Sequence, residues 1–268
     1  VSAGYPVVAI VRRPEAAGAA RACGADIRIA DIFDVASMAA ALTGCDVGIN
    51  LATTLPGPSG RGDFAANDRL RIEGAPNWIA ACAAAGVGRV IQQSIAMLNA
   101  SGDASWTDET HIHQPAVETT ATRAFAAALA MEAVIAASPI DWIILRGGLF
   151  YGPGTGFDHG WRARSAAAKL RLPGDGSDYV SLCHITDMAA ATLAAIRRWP
   201  SRDTLIVCDD EPAPWRNVFG FIAMSAGHEP PSGGGPIGFP SFRLRNARAR
   251  AALDWAPHYD SYRTGLAQ

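Results

Sequence analysis

Lysine is almost missing from this chain: Lys169 is the single lysine among 23 Lys and Arg residues. A phosphate-cradling loop of the GxxxxGK[ST] kind needs a lysine after glycine and is excluded, and Schiff-base chemistry would have to run through Lys169 alone. Cysteine is scarce too. The five at Cys23, Cys45, Cys82, Cys183 and Cys208 are odd in number, far apart and never in CxxC, which argues against a disulfide framework and against a zinc site. A reducing cytoplasm is expected, and no metal. Neither sign of charge dominates, with 23 basic against 25 acidic residues and a net charge of -2, so no sequence-wide field recruits nucleic acid or an anionic membrane. No run reaches the roughly 18 uncharged apolar residues of a membrane span, and no basic-then-apolar leader opens the chain. These absences favour a soluble protein, monomer or homodimer, whose partner is a small molecule rather than nucleic acid or membrane.

What is present is a globular composition, 49% hydrophobic over 268 residues, enough to bury a sizeable core. Strand-like runs rich in Val and Ile alternate with alanine-rich helical stretches, the signature of parallel strands joined by crossover helices. The fold class read from this is α/β. Strands are expected at about Pro6 to Val11, Asp26 to Ala30, Asp46 to Leu51, Arg89 to Ser94, Asp141 to Leu145 and Thr204 to Cys208. Helices are expected at about Pro14 to Cys23, Ser37 to Leu42, Asn67 to Ala85, Thr120 to Ala137, Met188 to Arg197 with Asp187 as its cap, Pro214 to Met224 and Asn246 to Leu253. Gly86 supplies a left-handed helix stop. The loop Thr53 to Asp63, with two prolines and three glycines, is expected near a ligand mouth. Beyond Gly152-Pro153-Gly154 the alternation weakens, which divides the chain into a nucleotide-binding unit over 1–150 and a smaller substrate region over 151–268, interleaved with the sheet.

Six segments in order carry a resemblance. They are Gly4-Tyr5-Pro6 through Arg12-Arg13, Glu73-Gly74 through Asn77, and Ala85-Gly86-Val87-Gly88-Arg89-Val90-Ile91 leading to Ser94. Asp141-Trp142 through Leu145-Arg146-Gly147-Gly148-Leu149-Phe150-Tyr151-Gly152-Pro153-Gly154 follows, and His184-Ile185-Thr186-Asp187-Met188-Ala189 with Asn246-Ala247-Arg248 to Trp255-Ala256-Pro257 completes the set. Together they resemble the extended and atypical short-chain dehydrogenase/reductases, the group that contains nucleotide-sugar epimerases and dehydratases. The resemblance implies a Rossmann-type, doubly wound parallel sheet with a small C-terminal substrate region, and an NAD(P)-dependent oxidoreductase acting on a small carbonyl or hydroxyl compound. Nucleotide sugars are disfavoured because no second nucleotide clamp is visible after residue 150.

Two departures from the pattern matter. The glycine-rich turn between the group's first strand and helix is not in the chain, which starts at Val1 where that helix would end. The expectation is an N-terminally truncated sequence, with roughly 20–25 residues of strand, turn and helix preceding it. The YxxxK pair is also missing. Aligning Glu132 with the group's helix glutamate puts Ala124 and Ala128 at the tyrosine and lysine positions, and the residue four before Lys169 is Ser165. A tyrosine there would move a proton at a carbonyl, aided by the lysine. Its loss leaves room for a competing reading as a non-catalytic NADP-binding sensor or interaction protein, and for a third as an inactive relic.

The resemblance assigns candidates residue by residue. Ser94 matches the substrate-binding hydroxyl at a strand end, or is a serine satisfying a loop amide. Arg12 and Arg13 follow the strand that faces the adenosine ribose, with no acid to take its hydroxyls, which favours NADP over NAD. Asp31 falls near adenine, or caps the helix after Ile32. Leu51, Ala52 and Thr53 form the small-residue strand end that lets a cofactor approach, and Gly147, Gly148, Leu149 and Phe150 line the nicotinamide side. For a replacement acid the candidates are Tyr151, which otherwise packs on Pro153, and His113 of the His111-Ile112-His113 run, where Glu109 is a nominal third metal ligand. Trp106, Trp161 and Trp215 are read as packing or pocket wall.

Overall fold

Parallel strands form the centre of the molecule, and the two over residues 89–95 and 141–147 are largely buried on both faces. The computed structural model describes residues 2–55, 62–115 and 117–267. Strands are β1 (Val8–Val11), β2 (Asp26–Ile29), β3 (Val47–Asn50), β4 (Arg89–Ile95), β5 (Trp106–Thr107), β6 (Asp141–Gly147), β7 (Leu149–Tyr151), β8 (Tyr179–Val180), β9 (Leu182–His184), β10 (Asp203–Val207), β11 (Ala213–Pro214) and β12 (Arg243–Leu244). Helices are α1 (Gly18–Ala22), α2 (Val35–Leu42), α3 (Phe64–Arg69), α4 (Ala75–Ala84), α5 (Thr120–Ala137), α6 (Phe157–Ala166), α7 (Ile185–Arg198), α8 (Trp215–Ser225), α9 (Ala247–Leu253) and α10 (Tyr262–Leu266). The main sheet runs β10-β6-β4-β3, all parallel, with Ser94 opposite Arg146 and Ile95 opposite Gly147 in register. β1 and β2 form a separate parallel pair. Among the described residues β3 is paired only with β4 and β1 only with β2, so the expected single sheet is present as two pieces.

Alternation along the strands sorts side chains into two layers. Val90, Trp142 and Ile144 pack with Met38 and Leu42 of α2, with Trp78, Ala81 and Cys82 of α4, and with Ile135 of α5. Ile91, Ile143, Leu145, Leu205 and Val207 face the other way, against Met188, Ala191 and Ala195 of α7 and Ala249 and Leu253 of α9. Helices thus cover both faces, the doubly wound arrangement that the sequence implied, and residues beyond 150 supply β10, α7 and α9 to it. A third apolar cluster fills the C-terminal lobe, where Trp161, Trp215, Phe219 and Phe242 pack around β7, β8 and β9.

Local chemistry accounts for most element ends. α5 starts behind a capping box in which Thr119 accepts from Thr122 N at 3.2 Å and Thr122 Oγ1 accepts from Thr119 N at 2.6 Å. This helix is the one described helix long and apolar enough to cross a membrane by composition, but it packs against the sheet and buries Glu132 there. The second long helix begins earlier than expected, at Phe64, because Asp63 accepts from Ala65 N at 3.0 Å and caps it. Between α3 and α4 the chain makes a π-turn over Leu70–Gly74, and Gly86, at φ +76°, stops the helix.

Several expected caps are corrected. Asp34, not Asp31, caps α2 by accepting from Ser37 N at 3.0 Å, while Asp31 accepts from Phe33 N in a tight turn. His184 rather than Asp187 caps α7; Asp187 instead accepts from His258 N at 2.8 Å and Tyr259 N at 3.0 Å and so ties down the C-terminal segment. Asn246 precedes α9 without capping it, since its amide donates to Cys208 O at 2.8 Å and Asp210 Oδ1 at 2.7 Å.

Candidate active site

All four strands of the main sheet point their C-terminal ends to one edge, where open α/β sheets bind ligands. β4 ends at that edge with Ser94. Its side chain is buried, at 1% exposure, and its hydroxyl has no hydrogen-bond partner among the described residues, so no loop amide is satisfied by it. Leaving a buried hydroxyl unpaired costs about 1–3 kcal/mol, a cost that a ligand atom can remove. Parallel pairing sets Gly147 beside Ile95, so the chain brings Ser94 together with the start of the segment Gly147 to Phe150. Gly147 leaves no room for a side chain: an added Cβ would land on the Phe150 ring, which folds back over it. Gly148 lacks side-chain room for a similar reason, as a Cβ would sit 2.7 Å from Ser181 O.

Beneath Ser94 lies a buried ion pair. Arg146 donates from Nε to Glu132 Oε1 at 3.0 Å and from Nη2 to Glu132 Oε2 at 2.5 Å, a two-bond fork, and from Nη1 to Asn99 Oδ1 at 3.2 Å. Asn99 passes the constraint on: its amide donates to His111 O at 2.6 Å and its carbonyl accepts from Thr107 Oγ1 at 2.5 Å. The histidine segment is thereby fastened to the sheet through α5 and β6. His111 Nε2 and His113 Nδ1 both lie 3.0 Å from Ala100 O. A carbonyl oxygen only accepts, so each contacting ring nitrogen carries the proton, and in the neutral ring His113 Nε2 is left as an acceptor. His113 stacks edge-on to Phe125 at 6.0 Å, near Leu98 and Ala128. Glu109 is no metal ligand here. It accepts from Ile206 N at 2.8 Å along β10, and burial raises its carboxyl above the usual range.

Tyr151 ends β7, paired in register with His184 of β9. Its side chain is fully buried in the C-terminal lobe, edge-on to His184 at 5.1 Å, with its hydroxyl unpaired among the described residues and the ring lying where a Cβ on Gly265 would stand. Burial pushes the phenol well up from its ordinary value. Ala124 and Ala128 are themselves buried, so no side chain fills the tyrosine and lysine positions. Of the tryptophans, Trp161 and Trp215 are core, as expected, while Trp106 sits between the Arg243 and Arg245 guanidinium groups at 4.4 and 4.8 Å.

The residues assigned to a dinucleotide occupy the other end of the edge. Arg12 and Arg13 are exposed directly after β1, and Arg13 makes only a long, solvated contact of 3.5 Å with Glu15. After β3 the chain turns through Leu51, Ala52 and Thr53, all exposed. Asn50 Oδ1 holds the turn by accepting from Ala52 N at 3.1 Å, and Asn67 Oδ1 accepts from Thr53 Oγ1 and Thr54 N at 3.0 Å. Apolar Ile49 and Leu51 stand 37% and 56% exposed there. Exposed apolar side chains at this strand end, with the exposed Arg12 and Arg13 after β1, fit a nucleotide's base and phosphate. Residues 56–61 of the expected mouth loop lie outside the described residues.

Three residues of this site went unassigned in the sequence. Asn99 has no motif of its own. Arg71 stands four before Ala75 and seven before Trp78, on the buried stripe of its helix, and a charge on such a stripe is the signal that marks it. Asp209, just beyond β10, is buried with both carboxylate oxygens unpaired among the described residues.

Comparison with known proteins agrees with this geometry. Residues 1–168 match the family described as NAD(P)H-binding. A 3-diazoavenalumate denitrifying reductase from a Streptomyces species is 34% identical over 219 residues, spanning 76% of this chain and 72% of the relative. Among solved structures, MoeE5 in complex with UDP-glucuronic acid and NAD superposes with a TM-score of 0.79 at 22% identity, covering 99% of this chain and 90% of that one. The UDP-glucose 4-epimerase of Thermotoga maritima gives 0.79 at 17%, over 99% and 91% of the two chains. DesIV, a dTDP-glucose 4,6-dehydratase of Streptomyces venezuelae, gives 0.80 at 16%, over 98% and 86%. The fold is thus shared with NAD-dependent epimerases and dehydratases, and the chain belongs to the NAD(P)H-binding family.

Proposed function

We propose that this chain reduces a small, electron-poor acceptor held at Ser94, with NADPH preferred over NADH. The buried Ser94 hydroxyl carries the reading, because it stands at the C-terminal end of β4 with no hydrogen-bond partner among the described residues. When bound, the reduced dinucleotide supplies a hydride. Arg12 and Arg13 would hold its 2′-phosphate, the turn at Leu51, Ala52 and Thr53 would let its backbone approach, and Gly147 to Phe150 would wall the nicotinamide side.

The missing acid selects the acceptor. A carbonyl that takes a hydride becomes an alkoxide and needs a proton. With Ala124 and Ala128 at the family positions and the Tyr151 side chain fully buried, the described residues set no tyrosine and lysine pair beside Ser94 to supply it. A diazo group does not ask for one: an arenediazonium and a hydride give an arene and dinitrogen, with no oxygen to protonate. The name of the Streptomyces relative, a denitrifying reductase of a diazo carboxylate, supports the same chemistry. A small carbonyl compound is the second reading, favoured by the fit of a hydroxyl to a reacting oxygen. The sensor reading is not favoured, because the relative is a reductase.

Loss of reduced-dinucleotide absorbance across a panel of diazo and carbonyl compounds tests the reading. Diazo substrates should turn over, and Ser94→Ala should slow them about tenfold or more with cofactor binding retained, the worth of one hydrogen bond to a charged group. Equal rates for Ser94→Ala and wild type would put the acceptor elsewhere. Calorimetry should give tighter binding of NADPH than NADH, and Arg12→Ala with Arg13→Ala should lower that preference about tenfold. An unchanged preference would leave both arginines as surface charges.

A further inference from the structure

The π-turn at Leu70–Gly74 carries Arg71 onto α5. Its Nη1 donates to Ala124 O at 2.9 Å, the backbone of the position where the group's tyrosine would stand. The side chain is half-buried, and burial pushes the guanidinium below its usual value while Asp68 and Glu132 pull it back. Neither acid pairs with it. Glu132 spends both oxygens on Arg146, and no carboxylate lies within 4.0 Å of Arg71 among the described residues. Most other arginines with resolved ion pairs here are exposed surface contacts, such as Arg69 with Glu73. A cation taken partly out of water without a counter-ion is costly, and it is stabilised by whatever anion enters beside it. α5 packs against both the π-turn and β4, the strand that carries Ser94.

We propose that Arg71 is the anion-recognition residue of the substrate cleft, selecting acceptors that carry a carboxylate. The inference deepens the reductase reading and rests on it for the identity of the cleft. A planar guanidinium takes a carboxylate through two parallel bonds, and its permanent charge sets where the anionic end of the substrate lies, leaving the reducible end to Ser94. In place of a tyrosine and lysine that move a proton, the site would then hold a fixed cation that orients.

Calorimetric titration with cinnamate and with its uncharged methyl ester tests this without any turnover. Wild type should bind the carboxylate more tightly than the ester. Arg71→Gln should weaken cinnamate about 10- to 100-fold, the fold-change of one charge-assisted contact, and leave the ester as in wild type. Arg71→Lys, which keeps the charge and fills the same turn, should retain most of the preference, and thermal melts of each variant report folding. Wild type that does not prefer the carboxylate, or Arg71→Gln that binds both ligands as wild type does, would overturn the proposal. So would a matched loss of both ligands in Arg71→Gln together with a lowered melting temperature equal to that of Asp68→Asn, which would make Arg71 a partner of Asp68 in holding the helix. The reductase reading is judged apart, by wild-type turnover: its failure with carboxylate preference intact would leave Arg71 an anion site, and its success with no such preference would remove Arg71 alone.

Discussion

Replacing Tyr151 by phenylalanine removes one buried oxygen and nothing else. That oxygen has no hydrogen-bond partner among the described residues, and the ring around it is fully buried between His184 and Gly265. An unsatisfied buried hydroxyl costs about 1–3 kcal/mol, and the space vacated by a single atom costs up to about 1 kcal/mol in lost packing. Tyr151→Phe should therefore be neutral to stabilising by about 2 kcal/mol, which at about 2–4 °C per kcal/mol for a protein near this size raises Tm by up to about 8 °C. If Ser94 alone holds the acceptor, turnover of Tyr151→Phe should match wild type. The mirror experiment is Gly265→Ala, whose added methyl would collide with the phenol and should destabilise by about 1–3 kcal/mol, with Tyr151→Phe relieving part of that loss in the double variant. Differential scanning fluorimetry with urea melts reads all four proteins. A Tm lowered by several degrees in Tyr151→Phe would mean that the hydroxyl has a partner after all, and a loss of rate at unchanged Tm would return Tyr151 to the chemistry.

Glu132→Gln should cost about 3–5 kcal/mol in urea denaturation, because it strands the buried Arg146 guanidinium; a loss under about 1 kcal/mol would show that the pair contributes little. Asp209 gives a pH test. Burial holds its carboxyl well above the usual range, so the folded protein keeps a proton that the unfolded chain releases above about pH 4; the contribution is whole below that pH and is lost as pH rises. Asp209→Asn should therefore gain stability over wild type progressively between about pH 5 and pH 8, and a gap that stayed flat or narrowed would mean that the carboxylate is ionised and paired.

The amino-acid sequence alone determined the elements whose causes are local. Alternation of apolar residues placed Val90 and Ile91 on opposite faces of β4, Thr119 with Thr122 set where α5 begins, and Gly86 set where α4 stops. It also determined that no tyrosine stands four residues before the only lysine. Periodicity, capping and composition act over a few residues, so they can be read in one dimension. Only the tertiary structure decided which side chains are buried and what they meet. Tyr151 and Ser94 read alike as hydroxyls near strand ends, and in the structure both are buried without a hydrogen-bond partner among the described residues. Asp187 has the spacing of a cap and serves the backbone of His258 and Tyr259. Arg71 meets Ala124 across 53 residues of sequence, and Glu132 meets Arg146 on a different element. Desolvation, pairing and the cost of an unpaired polar atom arise from such long-range contacts, and no local pattern in the chain records them.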